Sequence, residues 1–544
     1  MSPNLDPQEQ AAVWMRRARA KVPFELAEHL VVIGCGPVAA RLVEDLLPWA
    51  RNGHLRVTVI GAETHMAYNR VLVGEYAMGR VPRELLQLSE HQRWTAAGVR
   101  VRLGARVVGL DRTRRTVRLT GEPGGPAEAL EILEWDRLVL ATGARPVRPN
   151  IRGLDPSPDG ATLPSGVLTL RDLHDADHVR PVVASGGHVV VLGGGVLGVE
   201  AALAAAETAG ASTLVHTGQN PMERVLDSGT AKMLGQRMAS AGVTCISGRA
   251  VGVTLGEDHT FQALEVAQVG PVAGDLLVLS CGVQARTDLA ESAGLRVRHG
   301  IVVDHELQAD VEGRVFAMGD CAEVACRDAA CEPCALRAAG HLPPGPAGLI
   351  APGWRQAEYL AARISAELNA LLEGASVVQP VEPLPAHEPS VLRLKAHDLD
   401  LVVLEAGIRV PSEPARTIQF TDTAMDQDLR VELEEDGHLR RAVAMGRPRA
   451  VAHLTETLGS RSALRGDLTY LMALDSSWAA PEPTKAGPDT VVCRCAGVTR
   501  GAITAAMDDG ASDVAQVRTA TRACSGCGTC TREVQELLDS RVAH

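Results

Sequence analysis

Short β-branched runs alternate with Ala/Leu-rich stretches at helical spacing along most of the chain, with glycine between them. That alternation predicts βαβ units and parallel sheet. HLVVIGCGPVAARLVEDLL (29–47) predicts a buried strand, a glycine turn and a helix, and LRVTVIGAE (55–63) the next strand. Residues 137–141 predict a strand running into ATGARP. A second complete unit begins with HVVVLGGGVLGVEAALAAAETAG (188–210) and continues into ASTLVHTG (211–218). DLLVLSCG (275–282) and GRVFAMGDCAE (313–323) add two further strands. Residues 380–470 show weaker, mixed alternation and predict a separate α+β module. The stretch 475–489, rich in Pro, Ser and Ala, reads as a linker. A compact tail, 490–544, closes the sequence.

Composition narrows the function classes. The 544 residues are 46% hydrophobic and 22% charged, enough apolar side chain for real cores. A formal net charge of −12 argues against nucleic acid or an anionic membrane surface as partner. No apolar run reaches the roughly 18 residues that a spanning helix needs. The opening MSPNLDPQEQ has no basic-then-apolar pattern, so the expectation is a cytoplasmic protein without a signal peptide. Twelve cysteines then point to metal or redox work rather than disulfides.

Gly34, Gly36 and Ala39 form a GxGxxA turn between strand and helix, where backbone N–H groups can approach a pyrophosphate. Glu63 ends the next strand, where a carboxylate can take ribose hydroxyls. Gly193, Gly195 and Gly198 repeat the pattern about 160 residues later, which implies two dinucleotides. The second unit ends its next strand in His216, either a cofactor contact or a surface strand-end residue. No arginine follows it within that turn, which favours NADH over NADPH.

GCGPVA, Tyr68-Asn69-Arg70, ATGARP (141–146), GGGVLGVE (193–200) and FAMGDCAE (316–323) together resemble the two-dinucleotide FAD/NAD(P)H oxidoreductases of the pyridine-nucleotide flavoprotein class. The resemblance implies an α/β fold with a discontinuous FAD domain, 28–148 and 279–365, around an NAD(P)H domain, 149–278. An α+β module, 375–474, and a helical [2Fe–2S] domain, 490–544, would follow. It implies FAD held by the first loop, Glu63, Arg70, Thr142, Gly143 and Asp320, with NAD(P)H on the second loop. Glu200 matches a position near the nicotinamide–flavin junction; otherwise it is an ordinary first-turn carboxylate favoured by the helix dipole. HMAYNRVLVGEY (65–76), VHTGQNPMERVLD (215–227) and GLIAPGW (348–354) are similar to the flavoprotein portion of assimilatory nitrite reductase large subunits and to the electron-transfer subunits of assimilatory nitrate reductases. Glu75 departs from that pattern, standing where many relatives carry lysine near the flavin.

No cysteine lies between Glu63 and Arg100, which argues against a disulfide-reducing CxxxxC pair beside the flavin. Cys493-x-Cys495 and Cys527-x-x-Cys530 offer two close thiolate pairs, suited to one iron each of a [2Fe–2S] cluster or to zinc. The arrangement resembles the bacterioferritin-associated-ferredoxin-like domain, which favours the cluster and leaves Cys524 as a bystander. Cys326, Cys331 and Cys334 form a candidate second metal or iron–sulfur site, with Cys321 or His341 as fourth ligand. Cys35, Cys245 and Cys281 read as small buried thiols. The expectation is an electron-transfer flavoprotein taking hydride from NAD(P)H and passing single electrons to a molybdenum nitrate reductase catalytic subunit. A ferredoxin or rubredoxin reductase, a nitrite reductase component and a redox-sensing scaffold are the alternatives.

Overall fold

The computed structural model describes residues 27–120, 130–155, 163–326, 331–339, 345–346, 348–375, 377–385, 389–396, 399–407, 413–475, 487–526, 528 and 530–542. The structure is α/β, and its first two units are copies of one plan. The first has a five-stranded parallel sheet in the order Val315–Ala317, Arg137–Leu140, Glu28–Ile33, Leu55–Gly61, Arg100–Leu103. The second has Val243–Ser247, Ser212–His216, Val189–Leu192, Leu276–Leu279, Val167–Leu168, also parallel. Each carries a three-stranded antiparallel sheet as well, Val107–Asp111 to Leu130–Glu134 in one and Ala250–Leu255 to Gly270–Ala273 in the other.

The central parallel strands are buried on both faces, so they read as unbroken apolar runs such as LVVI and VVVL. Helix Pro37–Arg51 lays Ala39, Leu42, Val43, Leu46 and Ala50 against the first sheet, at three- and four-residue spacing. Proline at its first position presets the φ the helix needs. The long helix Ile350–Glu373 packs beside it, with Gly353 close against Val38.

The third module is a five-stranded antiparallel sheet, ordered Ser390–Ala396, Leu399–Glu405, Leu439–Met445, Gln427–Leu433, Arg416–Asp422. Helix Pro448–Ser460 covers one face, where Val402, Leu404, Ala442 and Ala444 meet Val451 and Leu454. The opposite face, with Leu401, Val403, Val443 and Met445, joins the core of the second unit. Three helices, Arg500–Asp508, Val514–Thr521 and Thr531–Val542, form the tail around Val492, Ile503, Val517 and Val534. Most of the stretch read as a linker, 476–486, lies outside the described residues. No helix among the described residues is long and apolar enough to cross a membrane.

Candidate functional site

The two glycine loops have matching geometry. Gly34 and Gly193 adopt φ of +118° and +127°. A Cβ on either would lie 2.1 Å from the Ala141 carbonyl or 2.2 Å from that of Ser280, so only glycine fits. Each donates its N–H to the strand beyond the following helix, Gly34 to the Ile60 carbonyl and Gly193 to that of Val215, both at 2.8 Å. Gly198 lets its helix sit on the loop: a Cβ there would meet the Gly193 carbonyl at 1.9 Å. Ala39 holds the corresponding place in the first loop, buried.

Gly36 and Gly195 are the N-caps of helices of 15 and 14 residues, and neither helix start has a side-chain cap. A Cβ on either would meet nothing within 4 Å. Both helix starts therefore open onto free space, leaving amide donors and dipole ends available to an anion. That space is a single cleft of about 1650 Å³. It exceeds the usual range of roughly 300–1,000 Å³ for one small ligand and fits two dinucleotides. Cys495 and Cys530 of the tail line the same cleft.

Glu63, Arg70, Thr142, Gly143, Glu200, His216 and Asp320 all line it. The Tyr68 hydroxyl donates to Glu63 at 2.6 Å, and the Arg70 guanidinium pairs with the other carboxylate oxygen. Burial alone would push the Glu63 carboxyl up, but Arg70 and Tyr68 hold it below its ordinary value. Glu63 thus stays ionised and fixed in direction. Thr142 donates to the Arg286 carbonyl at 2.9 Å, and Arg286 donates its N–H to the Gly143 carbonyl, also at 2.9 Å. Asp320 pairs with Arg171 at 2.9 Å. Glu75 also lines the cleft and is paired with Arg80 at 3.4 Å, a guanidinium it shares with Glu207.

His216 is not a surface residue. It is buried against Gly194, burial depresses its basicity, and its Nδ1 has no partner among the described residues. Glu223 and Arg224 share its part of the cleft, and the Glu223 carboxylate accepts from the Gln219 N–H at 2.8 Å. Reading only the turn after His216 missed both residues, because the chain folds back there.

In the tail, Cys493 and Cys495 stand 3.6 Å apart, sulfur to sulfur, and so do Cys524 and Cys530. Both separations are near the roughly 3.8 Å edge of a tetrahedron with metal–sulfur bonds of about 2.3 Å. Cys524, expected to stand aside, sits among these thiols, while Cys527 lies outside the described residues.

The cysteine loop rests directly on the first unit. Asn69, buried, donates its side-chain amide to the carbonyls of Ser525 at 2.9 Å and Gly526 at 2.5 Å. Its Oδ1 accepts from the Val71 N–H at 3.0 Å, which fixes the amide's orientation. Arg518 donates to the Leu85 carbonyl at 2.8 Å, and Arg522 pairs with Asp45 at 2.5 Å. Gly526 fits between Cys495 and Trp354, where a Cβ would stand 2.4 Å from the thiol and 3.2 Å from the indole.

The family model of the pyridine nucleotide-disulphide oxidoreductases matches residues 28–339, more than half of the sequence and both glycine loops. The chain belongs to that family. This oxidoreductase also carries a BFD-like [2Fe-2S] binding domain, matched over 491–540. It is 29% identical over 521 residues to the nitrite reductase [NAD(P)H] large subunit of Klebsiella oxytoca, covering 94% of this chain and 49% of the relative. It is 24% identical over 512 residues to the assimilatory nitrate reductase electron transfer subunit of Bacillus subtilis, covering 94% of this chain and 59% of the relative. The chain thus spans about half the length of the curated relatives it matches. Its fold matches the crystal structure of the covalent putidaredoxin reductase–putidaredoxin complex with a TM-score of 0.65 at 22% identity, over 82% of this chain and 98% of that one.

The second cysteine set assembles differently from the sequence reading. Cys321 is fully buried and its thiol donates to the carbonyls of Leu140 and Met318 at 3.3 and 3.2 Å. It is held by the turn that carries Asp320 and does not reach the other three. His341 lies outside the described residues. His305, which the sequence reading passed over, takes the fourth place: its ring and the thiols of Cys326, Cys331 and Cys334 lie within 4.8 Å of one another.

Proposed function

We propose that this oxidoreductase draws electrons from NADH and delivers them singly, through the cysteine cluster of its tail, to a molybdenum nitrate reductase catalytic subunit. When bound, FAD would take a hydride from the nicotinamide and a [2Fe–2S] cluster would carry its electrons on one at a time. One observation carries the reading: both dinucleotide loops and two tail cysteines border one continuous cleft.

The chain's own residues position rather than react. The open helix starts at Gly36 and Gly195 hold pyrophosphates. Glu63, oriented by Tyr68 and Arg70, takes the ribose of FAD. Thr142, Gly143 and Asp320 flank the flavin, with Asp320 held by Arg171. Glu200 stands at the start of the second turn of helix Val196–Ala209, not in its first turn as the sequence suggests, and faces the cleft at the proposed junction of nicotinamide and flavin. Cys493, Cys495, Cys527 and Cys530 are the cluster ligands, a choice supported by their spacing and by the match of the [2Fe-2S] domain.

NADH is the preferred donor. A neutral His216 offers no charge to a 2′-phosphate, and the Glu223 carboxylate beside it repels one; Arg224 is the opposing influence. A cytoplasmic setting suits the many free thiols. The choice of acceptor is supported by the similarity to an assimilatory nitrate reductase electron transfer subunit and by the tail cysteines that border the cleft. Anaerobic titration with NADH tests the scheme: flavin bleaching should be followed by reduction of the cluster, and turnover should require the molybdoenzyme. Flavin that bleaches while the cluster stays oxidised would refute it.

A further inference from the structure

The strongest feature left unused by electron transfer is the group His305, Cys326, Cys331 and Cys334. Its members come from separate places in the chain. His305 stands in the turn after strand Ile301–Val303, where Asp304 accepts the N–H groups of Glu306 and Gln308, each at 2.9 Å. Cys326 follows strand Ala322–Val324. Cys331 precedes helix Glu332–Ala338, and Cys334 lies in its first turn, buried.

The geometry points to a structural zinc site of three thiolates and one imidazole. His305 Nε2 lies 3.3 Å from Cys331 Sγ and 3.6 Å from Cys334 Sγ. A tetrahedral zinc, with bonds of about 2.3 Å to sulfur and about 2.0 Å to nitrogen, has ligand–ligand edges of roughly 3.5–3.8 Å. The imidazole is also prepared for the role. Its Nδ1 lies 2.6 Å from the Leu384 carbonyl, and that hydrogen bond places the proton on Nδ1 and the lone pair of Nε2 toward the thiols. Leu384 returns its own N–H to the His305 carbonyl at 3.1 Å, so the ring's support is itself held twice. The Cys326 N–H donates to Cys334 Sγ at 3.3 Å, the kind of contact that stabilises a metal-bound thiolate.

Zinc is favoured over a second iron–sulfur cluster. Four ligand atoms converging on one point suit a single tetrahedral ion, whereas a two-iron cluster needs a separated ligand pair on each metal. None of the four residues lines the cofactor cleft, which sets the site apart from the dinucleotide loops and the tail thiols. It acts as a clip that ties three segments together: the 304–308 turn, the segment carrying the three cysteines and the segment that holds Leu384. Helix Ile350–Glu373, whose first residues, Ile350 to Pro352, line the cleft, follows later in the sequence.

Metal analysis of the full-length protein, purified without chelators from zinc-supplemented cells, tests the assignment. The expected content is about one zinc and about two irons per chain. The double replacement Cys331→Ser/Cys334→Ser and His305→Ala should each remove the zinc and keep the iron, while His305→Cys should retain zinc as a four-thiolate site. Cys493→Ser should do the reverse, losing iron and keeping zinc. Should the cysteine variants fail to fold, titration of the unmodified protein with a mercurial thiol reagent and a zinc-sensitive dye decides, with release of one zinc expected. Wild-type protein that carries no zinc, zinc that survives the double replacement, or zinc lost with Cys493 would each overturn the proposal.

Discussion

Replacing Asn69 with Asp tests whether the seating of the cysteine loop governs electron exit. The side chain keeps its shape, and its Oδ1 can still accept from the Val71 N–H. The two amide donors, however, become a carboxylate oxygen facing the carbonyls of Ser525 and Gly526. Two buried hydrogen bonds at about 1 kcal/mol each are lost, and two carbonyls are left facing a like charge at a further cost of at least ~1 kcal/mol. A shift of about 3 kcal/mol moves a docking equilibrium by roughly 150-fold. The contacts of Arg518 and Arg522 remain, so the tail stays folded and near its seat. Anaerobic stopped-flow mixing with NADH resolves the steps, because flavin bleaching and cluster absorbance change separately. Flavin reduction should stay within about twofold of wild type, since Asn69 is not among the residues that line the cleft, whereas cluster reduction should slow by at least tenfold. Protein with full iron content and an unchanged cluster phase would refute the idea that this contact gates transfer.

Cys527→Ser should abolish the cluster's visible absorption while leaving FAD bound and reducible, whereas Cys524→Ser should keep the cluster; the reverse result reassigns the ligand. A chain ending near residue 475 should still reduce small dyes from FAD but fail with the molybdoenzyme, and full activity with that acceptor would show another exit. Burial, reinforced by Arg56, pushes His29 down to about 4 from its ordinary 6.5. The unfolded chain therefore takes up a proton first as pH falls, and stability should decline between those values by about 1.4 kcal/mol per pH unit, about 3 kcal/mol in all. Urea melts of His29→Gln, which can keep the hydrogen bond to Thr58, should lose that slope; an unchanged slope would assign it to other groups.

The duplicated units were legible because each glycine turn stands between an apolar run and a helical period, and those turns are local. The third module was read only as weak alternation for a definite reason. Leu399–Glu405 is buried on both faces, with Leu401 and Val403 toward one core and Val402 and Leu404 toward another. Period-two polarity vanishes when both faces are covered. The candidate sites divide in the same way. Gly34, Glu63, Gly193 and Cys493 announce themselves by spacing, but His305 stands 21 positions before Cys326 and carries no motif. Cys321 had the right spacing and the wrong setting, since its turn commits the thiol to Leu140 and Met318. The contact of Asn69 with Ser525 spans 456 positions and leaves no trace in local pattern.

That contact has a consequence for interchangeability. Asn69 grips main-chain oxygens, which every residue possesses, so the grip depends on the loop's path and not on its side chains. A cluster loop of different sequence, with another reduction potential, would seat equally well if it kept that path, left room at Gly526 and kept the contacts of Arg518 and Arg522. The flavin unit is in this sense a socket with a standard fitting, and electron delivery can be retuned at the plug without recutting it.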